Sequence, residues 1–244
     1  MPKQRADQLA VEQGLAETRS RAQALIMAGE VFCGERRIEK AGDMLPEDAE
    51  LSLRGNPCPW VSRGGLKLAR ALELWPQDLS GKIAVDVGAS TGGFTEVLLH
   101  HGAAKIYAVD VGQGQLAWKL RQDARVVLLE KTNARHLTEA DIPEAPDIVV
   151  CDASFISLKT VLPAALSLAK PGAVLIALIK PQFEAGREKV GKGGIVRDVA
   201  VHEEVCDAIT CWLESTGWDV KGLAESPITG AKGNREFLIF ALKS

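Results

Sequence analysis

The sequence predicts an α/β fold with a mostly parallel, seven-stranded sheet, preceded by a small α+β module. From residue 62 onward, short apolar runs rich in β-branched residues alternate with amphipathic stretches of helical length. That alternation is typical of parallel strands whose two faces are covered by helices. Residues 1–55 instead hold two short helical stretches and a few strand-like runs. Because so few elements make only a small core, we expect this module to be marginally stable by itself.

A proline-rich stretch separates the two regions. Gly55, Pro57 and Pro59 lie within five residues, and glycine and proline at that density cannot continue a helix or an inner strand. The sequence therefore predicts an N-terminal domain over residues 1–55, a linker over 56–61 and a larger domain over 62–244.

The N-terminal module is expected to hold two helices and three strands. The helices are predicted over 6–13 and 21–28, each closed by a glycine that can adopt the left-handed conformation of a helix end. Either Thr18 or Ser20 can cap the second helix. The strands are predicted at 31–33, 37–38 and 51–53.

The larger domain is expected to alternate strands and helices to the end of the sequence. Its strands are predicted over 82–87, 105–109, 125–129, 147–151, 174–179, 219–223 and 237–242. Its helices are predicted over 64–74, 93–100, 115–121, 158–168 and 199–216. The last two strands are expected to pair as a terminal antiparallel excursion of the sheet.

Composition argues against several classes of protein. The chain has 244 residues, a formal net charge of -3 and a sequence pI of about 5.9, so a nucleic-acid site must be a local patch. The longest strongly apolar run, 173–179, is too short to span a membrane, and nothing near the N-terminus resembles a signal peptide. We therefore expect a cytoplasmic protein with no membrane partner. The five cysteines and four histidines lack metal-ligand or C-x-x-C spacing, so no metal is predicted.

The most informative segment is a glycine-rich turn between a strand and a helix. Asp86 ends an apolar strand, and Gly88, Gly92 and Gly93 follow it before a helical stretch begins. Glycine lets the backbone turn sharply and lets a ligand approach main-chain atoms. The spacing is not G-x-G-x-x-G, and an acid at the strand end suits an ammonium or ribose hydroxyls but would repel a pyrophosphate. These features favour S-adenosylmethionine over NAD.

A second acid supports the same cofactor. Asp110 ends the next apolar strand, roughly twenty residues on, where an acid takes a ribose diol in such folds. Asn133 follows the third strand, where adenine is usually contacted. The predicted cofactor-binding residues are Asp86, Gly88, Ala89, Ser90, Thr91, Gly92, Gly93, Phe94, Asp110, Val111, Asn133 and Asp152.

Polar residues also follow the fourth and fifth strands of the predicted sheet. Asp152 follows the fourth strand, and Lys180 ends an apolar run of seven residues in the fifth. A lysine there is partly desolvated, which favours the neutral amine that can act as a base. The alternative is a lysine that extends its ammonium out of the sheet into water. Lys67 lies on the helix before the first strand, and Glu236 opens the last strand.

Four of these residues resemble, in order and local context, the Lys-Asp-Lys-Glu tetrad of FtsJ-type ribose 2′-O-methyltransferases. They are Lys67, Asp152, Lys180 and Glu236. The stretches 62–68, 86–95 and 180–184 are similar to those of the TlyA-type proteins, or hemolysin-A family, which join an N-terminal S4 domain to an FtsJ-like domain. The resemblance covers essentially the whole chain. It implies a Rossmann-like S-adenosylmethionine-dependent methyltransferase in which the tetrad is catalytic.

The N-terminal module is similar to an S4 domain in the stretches 5–9, 18–31 and 40–43. The resemblance implies binding to ribosomal RNA or a ribosomal subunit, with a cytidine ribose as the methyl acceptor. The residues expected to contact RNA are Arg5, Arg19, Arg21, Lys40 and Arg63. Arg19 and Arg21 lie at a helix start, which also offers amides to phosphate. Ordinary solvated surface is the alternative for any one of these residues.

The mechanism that the resemblance implies is an in-line methyl transfer. Because a sulfonium is already a good electrophile, the protein mainly positions the acceptor and removes its proton. We expect Lys180 to be the base, with Asp152 and Glu236 orienting the lysines and the hydroxyl. Lys67 would add positive potential that favours a neutral Lys180 and a developing alkoxide.

Three other functions are left open by the sequence. They are a membrane-active hemolysin, an RNA-binding protein with an inactive methyltransferase fold, and an NAD-dependent oxidoreductase. Residues 185–194 are rich in glycine and charge and predict either a mobile lid over RNA or a plain surface loop near Lys180. The sequence does not determine the target nucleotide or the oligomeric state.

Overall fold

The computed structural model describes residues 2–16, 18–54, 58–230 and 232–244. The chain divides into two compact units, Met1–Pro59 and Trp60–Ser244. Of the predicted linker, Asn56 and Pro57 lie outside the described residues. Trp60 and Val61 begin the second unit: the Trp60 ring meets His100 edge-on at 5.4 Å, and the Val61 amide donates to Glu96 Oε2.

The first unit is a small α+β structure with its own core. Leu9, Leu25, Ile26, Val31 and Ile38 are all buried at its centre. Its strands form a two-stranded pair, β1 with β4, and a three-stranded sheet in the order β3-β2-β5. In chain order its elements are β1 (Lys3–Arg5), α1 (Ala6–Glu12), α2 (Arg19–Ala28), β2 (Val31–Cys33), β3 (Arg36–Arg37), β4 (Met44–Pro46) and β5 (Leu51–Leu53).

Local chemistry explains where α2 begins and ends. Thr18 is the N-cap, because its side chain accepts a hydrogen bond from the Arg21 amide at 3.2 Å. The helix therefore starts at Arg19, two residues earlier than predicted. Gly29 closes it with φ +76°. The β1–β4 pair was not predicted, since its three-residue strands carry no apolar alternation.

The second unit alternates strands and helices, as predicted. Its strands are β6 (Ile83–Val87), β7 (Lys105–Val109), β8 (Val126–Leu129), β9 (Ile148–Cys151), β10 (Val174–Ile179), β11 (Trp218–Glu225) and β12 (Phe237–Lys243). Its α-helices are α3 (Gly64–Leu74), α4 (Gly93–His100), α5 (Trp118–Arg121), α6 (Leu158–Val161), α7 (Pro163–Leu168), α8 (Pro181–Glu184) and α9 (Val199–Ser215). Short 3₁₀ helices lie at Ala134–His136 and Arg187–Lys189.

Within the described part of the second unit, the strands form one sheet of seven in the order β11-β12-β10-β9-β6-β7-β8. All neighbours are parallel except β12, which is antiparallel to β10 and to β11. The predicted α/β class, the mostly parallel sheet and the antiparallel excursion are therefore confirmed. The chain fills the sheet from β6 first toward β8 and then toward β10, so a topological switch point lies between β6 and β9.

The two faces of the sheet are both covered, as β10 shows. All six of its residues are buried. Leu175, Ala177 and Ile179 belong to one hydrophobic cluster, shared with α9. Ile176 and Leu178 belong to the other, shared with α3 and α4. Successive side chains of β10 thus pack on opposite faces of the sheet, and Lys180 follows at its carboxyl end.

Two predicted helices differ from the structure. The stretch 158–168 is two helices, since Pro163 has no amide hydrogen to donate and begins a new helix as its first residue. The helix predicted over 115–121 begins only at Trp118, because Ala117 is extended with ψ 139°. That shortening places Gln115 on the wall of a cavity, where its Oε1 accepts from Ser90 Oγ at 3.2 Å.

Candidate active site

The turn between β6 and α4 passes tightly against neighbouring backbone. Gly88 has φ +83°, and its amide donates to the Val109 carbonyl at 2.9 Å. A Cβ on Gly88 would lie 3.0 Å from Ala153 Cα. Glycine is therefore required here because the loop after β9 passes so close.

Gly92 and Gly93 lie at the start of α4, and each has its own reason to be glycine. Gly92 has φ +95°, a left-handed conformation that other residues rarely adopt. A Cβ on Gly93 would lie 2.8 Å from the Gly65 amide nitrogen, at the contact between α3 and α4. The cofactor-binding role that the sequence suggests for these two glycines stays a prediction.

A cavity of about 600 Å³ opens at the carboxyl ends of β6, β7 and β9, beside the switch point. Its wall combines apolar side chains with a few polar groups, the usual composition of a small-molecule site. The predicted cofactor residues on this wall are Gly88, Ser90, Asp110, Val111, Asn133 and Asp152. Those that the described wall does not include are Asp86, Ala89, Thr91, Gly92, Gly93 and Phe94.

Asp110 is held rigidly on the cavity wall. Its Oδ2 accepts from the Ser90 amide at 2.8 Å, and its Oδ1 accepts from the Gly112 amide at 2.7 Å. A carboxylate has about four acceptor sites, so two remain for ribose hydroxyls. Ile156 and Val161 add apolar surface that suits an adenine ring. The wall therefore fits S-adenosylmethionine by size and by chemistry.

Asp86 lies in the interior rather than on the cavity. It is fully buried, and its Oδ2 accepts from Thr95 Oγ1 at 2.6 Å. Among the described residues its Oδ1 has no hydrogen-bond partner. Burial raises the pKa of Asp86 to about 7, and the negative charges of Asp152 and Asp110 act in the same direction. Asp86 is therefore buried within the sheet and does not line the described cavity, and its predicted role in binding the cofactor stays a prediction.

The four side chains of the tetrad meet in one ion-pair network. Lys67 Nζ, on α3, lies 2.7 Å from Glu236 Oε2 and 3.1 Å from Asp152 Oδ2. Lys180 Nζ, at the end of β10, lies 2.8 Å from Asp152 Oδ1. The structure therefore brings together all four residues that the sequence singled out, from places up to 169 residues apart in the chain.

Burial and charge balance each other in this network. Lys67, Lys180 and Glu236 are 7%, 5% and 3% exposed. Burial lowers the pKa of Lys67, but the carboxylates of Asp152 and Glu236 outweigh it, and the net shift is upward. Lys67 is therefore held as an ammonium. Two basic and two acidic groups offset one another, which is the condition for keeping buried charges.

Asp152 and Ser154 connect the network to the cavity. Both line the cavity wall, and Ser154 Oγ accepts from Lys180 Nζ at 2.9 Å. Lys67, Lys180 and Glu236 are not part of the wall described here and lie behind these two residues. One end of a ligand that fills the cavity would therefore lie next to the ion-pair network.

Sequence reasoning gave no role to three further residues at this edge of the sheet. Ser154 is one. Phe155 is 90% exposed, has φ +67°, and its ring lies 5.1 Å from that of Phe183. Glu184 accepts from Ser157 Oγ at 2.6 Å and from the Leu158 amide at 2.7 Å, which ties α8 to the start of α6. The sequence signal that could have identified these three residues is their position a few residues after the end of a strand.

In the first unit, two of the predicted RNA-binding arginines share one buried carboxylate. Asp7 is fully buried, and its two oxygens accept from Arg5 Nε at 3.0 Å and from Arg19 Nε at 2.8 Å. The hydrogen bond from Arg5, opposed by burial, holds the pKa of Asp7 well below its usual range. The buried carboxylate of Asp7 therefore orients both guanidinium groups. The side chains of Arg5 and Arg19 are still 39% and 51% exposed.

The other predicted RNA contacts have different surroundings. Arg21 donates to the Cys58 carbonyl at 2.8 Å. Lys40 is exposed beside Arg36 and Arg37, which the resemblance did not single out. Arg63 belongs to the second unit, where it donates to the Thr229 carbonyl at 3.1 Å.

A mostly parallel seven-stranded sheet with this cavity at its switch point defines an S-adenosylmethionine-dependent methyltransferase. The chain belongs to the FtsJ-like methyltransferase family, whose model matches residues 60–243, and residues 4–51 match the S4 domain. The NAD-dependent alternative is thereby set aside.

Individual relatives cover nearly the whole chain. "Putative rRNA methyltransferase YqxC" of Bacillus subtilis is 52% identical over 97% of this chain and 85% of its own length. The 16S/23S rRNA (cytidine-2′-O)-methyltransferase TlyA of Mycobacterium tuberculosis is 45% identical over 97% of this chain and 88% of its own. A solved structure, "Putative hemolysin from Streptococcus thermophilus", is 47% identical, covers 100% of this chain and 90% of its own, and has a TM-score of 0.79.

Two further observations concern membranes and metals. In the part of the chain that the structure describes, no helix has the length and apolar character needed to cross a membrane. Over the same residues, no three His, Cys, Asp or Glu side chains form a group that could hold a metal ion.

Proposed function

We propose that this protein transfers the methyl group of S-adenosylmethionine to the 2′-hydroxyl of a cytidine ribose in ribosomal RNA, in the cytoplasm. The observation that carries the proposal is the network of Lys67, Asp152, Lys180 and Glu236 at the inner end of the cavity. A ribose hydroxyl is a weak acid and needs a base and a stabilised alkoxide. The names of the relatives support cytidine as the nucleotide and both ribosomal subunits as sources of substrate.

In this mechanism S-adenosylmethionine, when bound, supplies an electrophilic methyl group. Asp110 holds the ribose of the cofactor on the cavity wall, where two backbone amides fix its carboxylate. The amine of Lys180 accepts the proton of the acceptor hydroxyl. Lys67, held as an ammonium by Asp152 and Glu236, stabilises the negative charge that develops on the acceptor oxygen.

The first unit supplies affinity for RNA. Arg5 and Arg19 present guanidinium groups that the buried Asp7 holds in fixed directions, which lowers the entropy lost when they bind phosphate. Contacts to phosphate position an RNA without reading its sequence. The choice of one ribose is therefore made at the cavity of the second unit.

Nucleoside analysis of the RNA product tests this function. Purified 16S and 23S ribosomal RNA is incubated with the protein and S-adenosylmethionine, digested to nucleosides and analysed by mass spectrometry. The proposal predicts a rise in 2′-O-methylcytidine and no rise in base-methylated nucleosides. Methyl groups found on a base would overturn the choice of acceptor. No methyl transfer to any RNA would favour the inactive alternative, and release of dye from loaded vesicles by the same protein would favour the membrane-active one.

A further inference from the structure

Three oxygen atoms surround the amine nitrogen of Lys180. Asp152 Oδ1 lies at 2.8 Å, the Asp152 carbonyl oxygen at 3.1 Å and Ser154 Oγ at 2.9 Å. A lysine ammonium has three N–H donors and no acceptor, so this shell matches the ammonium form. A base needs the neutral amine with its lone pair directed at the incoming hydroxyl. One of the three contacts must therefore open before proton transfer.

Two of the three oxygens are fixed by other bonds. The carboxylate of Asp152 also pairs with Lys67, and its backbone amide donates to the Val87 carbonyl at 3.3 Å. Ser154 differs because its oxygen belongs to a hydroxyl that turns about a single side-chain bond and is exposed. Ser154 is thus the partner of Lys180 that can be exchanged at the lowest cost.

The position of Ser154 also controls the access of an acceptor hydroxyl to Lys180 Nζ. Lys180 is 5% exposed and is not part of the described cavity wall, whereas Ser154 lines that wall and contacts Nζ directly. An acceptor hydroxyl that reaches Nζ at the inner end of the cavity, where the ion-pair network begins, also lies next to Ser154 Oγ. The hydrogen bond that Ser154 makes in this structure therefore marks a place that an acceptor hydroxyl can occupy.

We propose that Ser154 is a positioning residue whose hydroxyl holds one hydrogen-bond position on Lys180 Nζ, and that the acceptor hydroxyl takes this position by displacing it. The inference rests on the proposed function. Once Ser154 Oγ has moved away, Nζ releases one proton to solvent and becomes a neutral amine. The acceptor oxygen then forms its bond to the methyl carbon and gives its proton to Nζ, while the sulfur–carbon bond breaks and its electron pair stays on sulfur.

Removing the hydroxyl has a signature that ordinary destabilisation lacks. In the Ser154→Ala protein the Lys180 ammonium loses one of the three oxygen atoms that accept its hydrogen bonds and stabilise its charge. The acid-side limb of the kcat/KM profile against pH, which reports the free protein in which Ser154 still contacts Nζ, should move down by about one pH unit. Ser154→Thr keeps a hydroxyl and should keep the limb in place. Both variants leave unchanged the other charged or titratable groups beside Nζ and in its network, which are Asp152, Cys151, Lys67 and Glu236.

The experiment measures methyl incorporation into 16S and 23S ribosomal RNA from pH 5.5 to 9.5 with the full-length protein. A Ser154→Ala protein whose rate falls by one factor at every pH, with an unmoved limb, would overturn the proposal. Cofactor affinity by calorimetry verifies that the variant is folded, and Ser154→Cys, a weaker acceptor, should show a smaller shift in the same direction. Nucleoside analysis of the product separately identifies the acceptor atom, so failure of the ribose assignment is distinguishable from failure of the Ser154 assignment.

Discussion

Lys180 Nζ lies 2.8 Å from Asp152 Oδ1, and the two side chains are 6% and 18% exposed. This ion pair joins the carboxyl ends of β10 and β9, which are neighbouring parallel strands. Asp152 receives Lys67 on its other oxygen, so one carboxylate positions both lysines. Removing a single partner from a buried network leaves an unpaired charge, which costs about 3–5 kcal/mol. The network is therefore both structural and, on the proposed function, catalytic.

Loss of Lys180 should abolish chemistry more than binding. In Lys180→Ala, Asp152 keeps Lys67 as its partner, so we expect a protein that is less stable but still folded, with its cofactor site intact. Removing a general base lowers rates by about 10²–10⁴-fold. We expect such a loss in methyl incorporation, with S-adenosylmethionine affinity by calorimetry nearly unchanged. Lys170→Ala, which removes a half-exposed lysine paired with Asp147 at the other end of the sheet, is the matched control and should keep its activity.

Asp110 should determine cofactor affinity. Its carboxylate fixes two loops and faces the cavity, so Asp110→Ala removes at least one charge-assisted hydrogen bond, worth about 1.5–3 kcal/mol or roughly ten-fold or more in Kd. Asp110→Asn keeps one acceptor oxygen and should lose less. Calorimetric titration with S-adenosylmethionine measures both, and equal affinities for wild type and Asp110→Ala would remove Asp110 from the site.

Asp86 should make stability depend on pH. Burial raises its pKa to about 7 in the folded protein, above the value of about 4 in the unfolded chain. The stability contributed by the protonated carboxyl group is therefore full below about pH 4 and is lost as the pH rises through about 7. Asp86→Asn cannot ionise. We therefore compare the free energies of unfolding of the variant and the wild type. The value for the variant minus that for the wild type should rise by roughly a few kcal/mol between pH 4 and pH 7.5.

The control for Asp86 has the opposite sign. The hydrogen bond from Arg125 lowers the pKa of Asp123, so that group contributes stability above its unfolded pKa and loses it only in acid. Asp123→Asn should thus show no change between pH 4.5 and pH 7.5. Urea unfolding at several pH values measures both variants, and a flat difference for Asp86→Asn would show that Asp86 ionises freely in the folded protein.

Affinity for RNA should depend on charges of the first unit. Arg19 and Arg21 lie at the start of α2, and each phosphate contact releases counterions. The full-length Arg19→Ala, Arg21→Ala protein should bind ribosomal RNA more weakly, with a salt slope reduced by up to about one unit per lost contact. Arg54→Ala removes an exposed charge paired with Glu35 in the same unit and is the control. An unchanged slope in the double variant would mean that both arginines serve only structure.

The sequence predicted the fold of the second unit because short, continuous apolar segments are typical of parallel strands buried on both faces. The six buried residues of β10 are an example. It also singled out Lys67, Asp152, Lys180 and Glu236, which the fold brings together. Their roles in catalysis stay predictions.

Other features depend on contacts between distant segments and have no local signal. Gly93 is a glycine because α3 passes beside it, and Asp86 is protonated more readily because helices cover its strand. Likewise the start of α5 at Trp118 follows from the extended backbone of Ala117, which intrinsic helix propensity does not reveal.

Alkaline hydrolysis of ribosomal RNA detects 2′-O-methylation itself, because methylation of a 2′-oxygen blocks cleavage of the adjoining phosphodiester. 16S and 23S ribosomal RNA are treated with S-adenosylmethionine and either wild-type or Lys180→Ala protein, then cleaved in alkali and read at single-nucleotide resolution. The proposed function predicts new gaps in the ladder at cytidines with wild-type protein and an uninterrupted ladder with Lys180→Ala. Uninterrupted ladders with both proteins, or the same gaps with both, would contradict it.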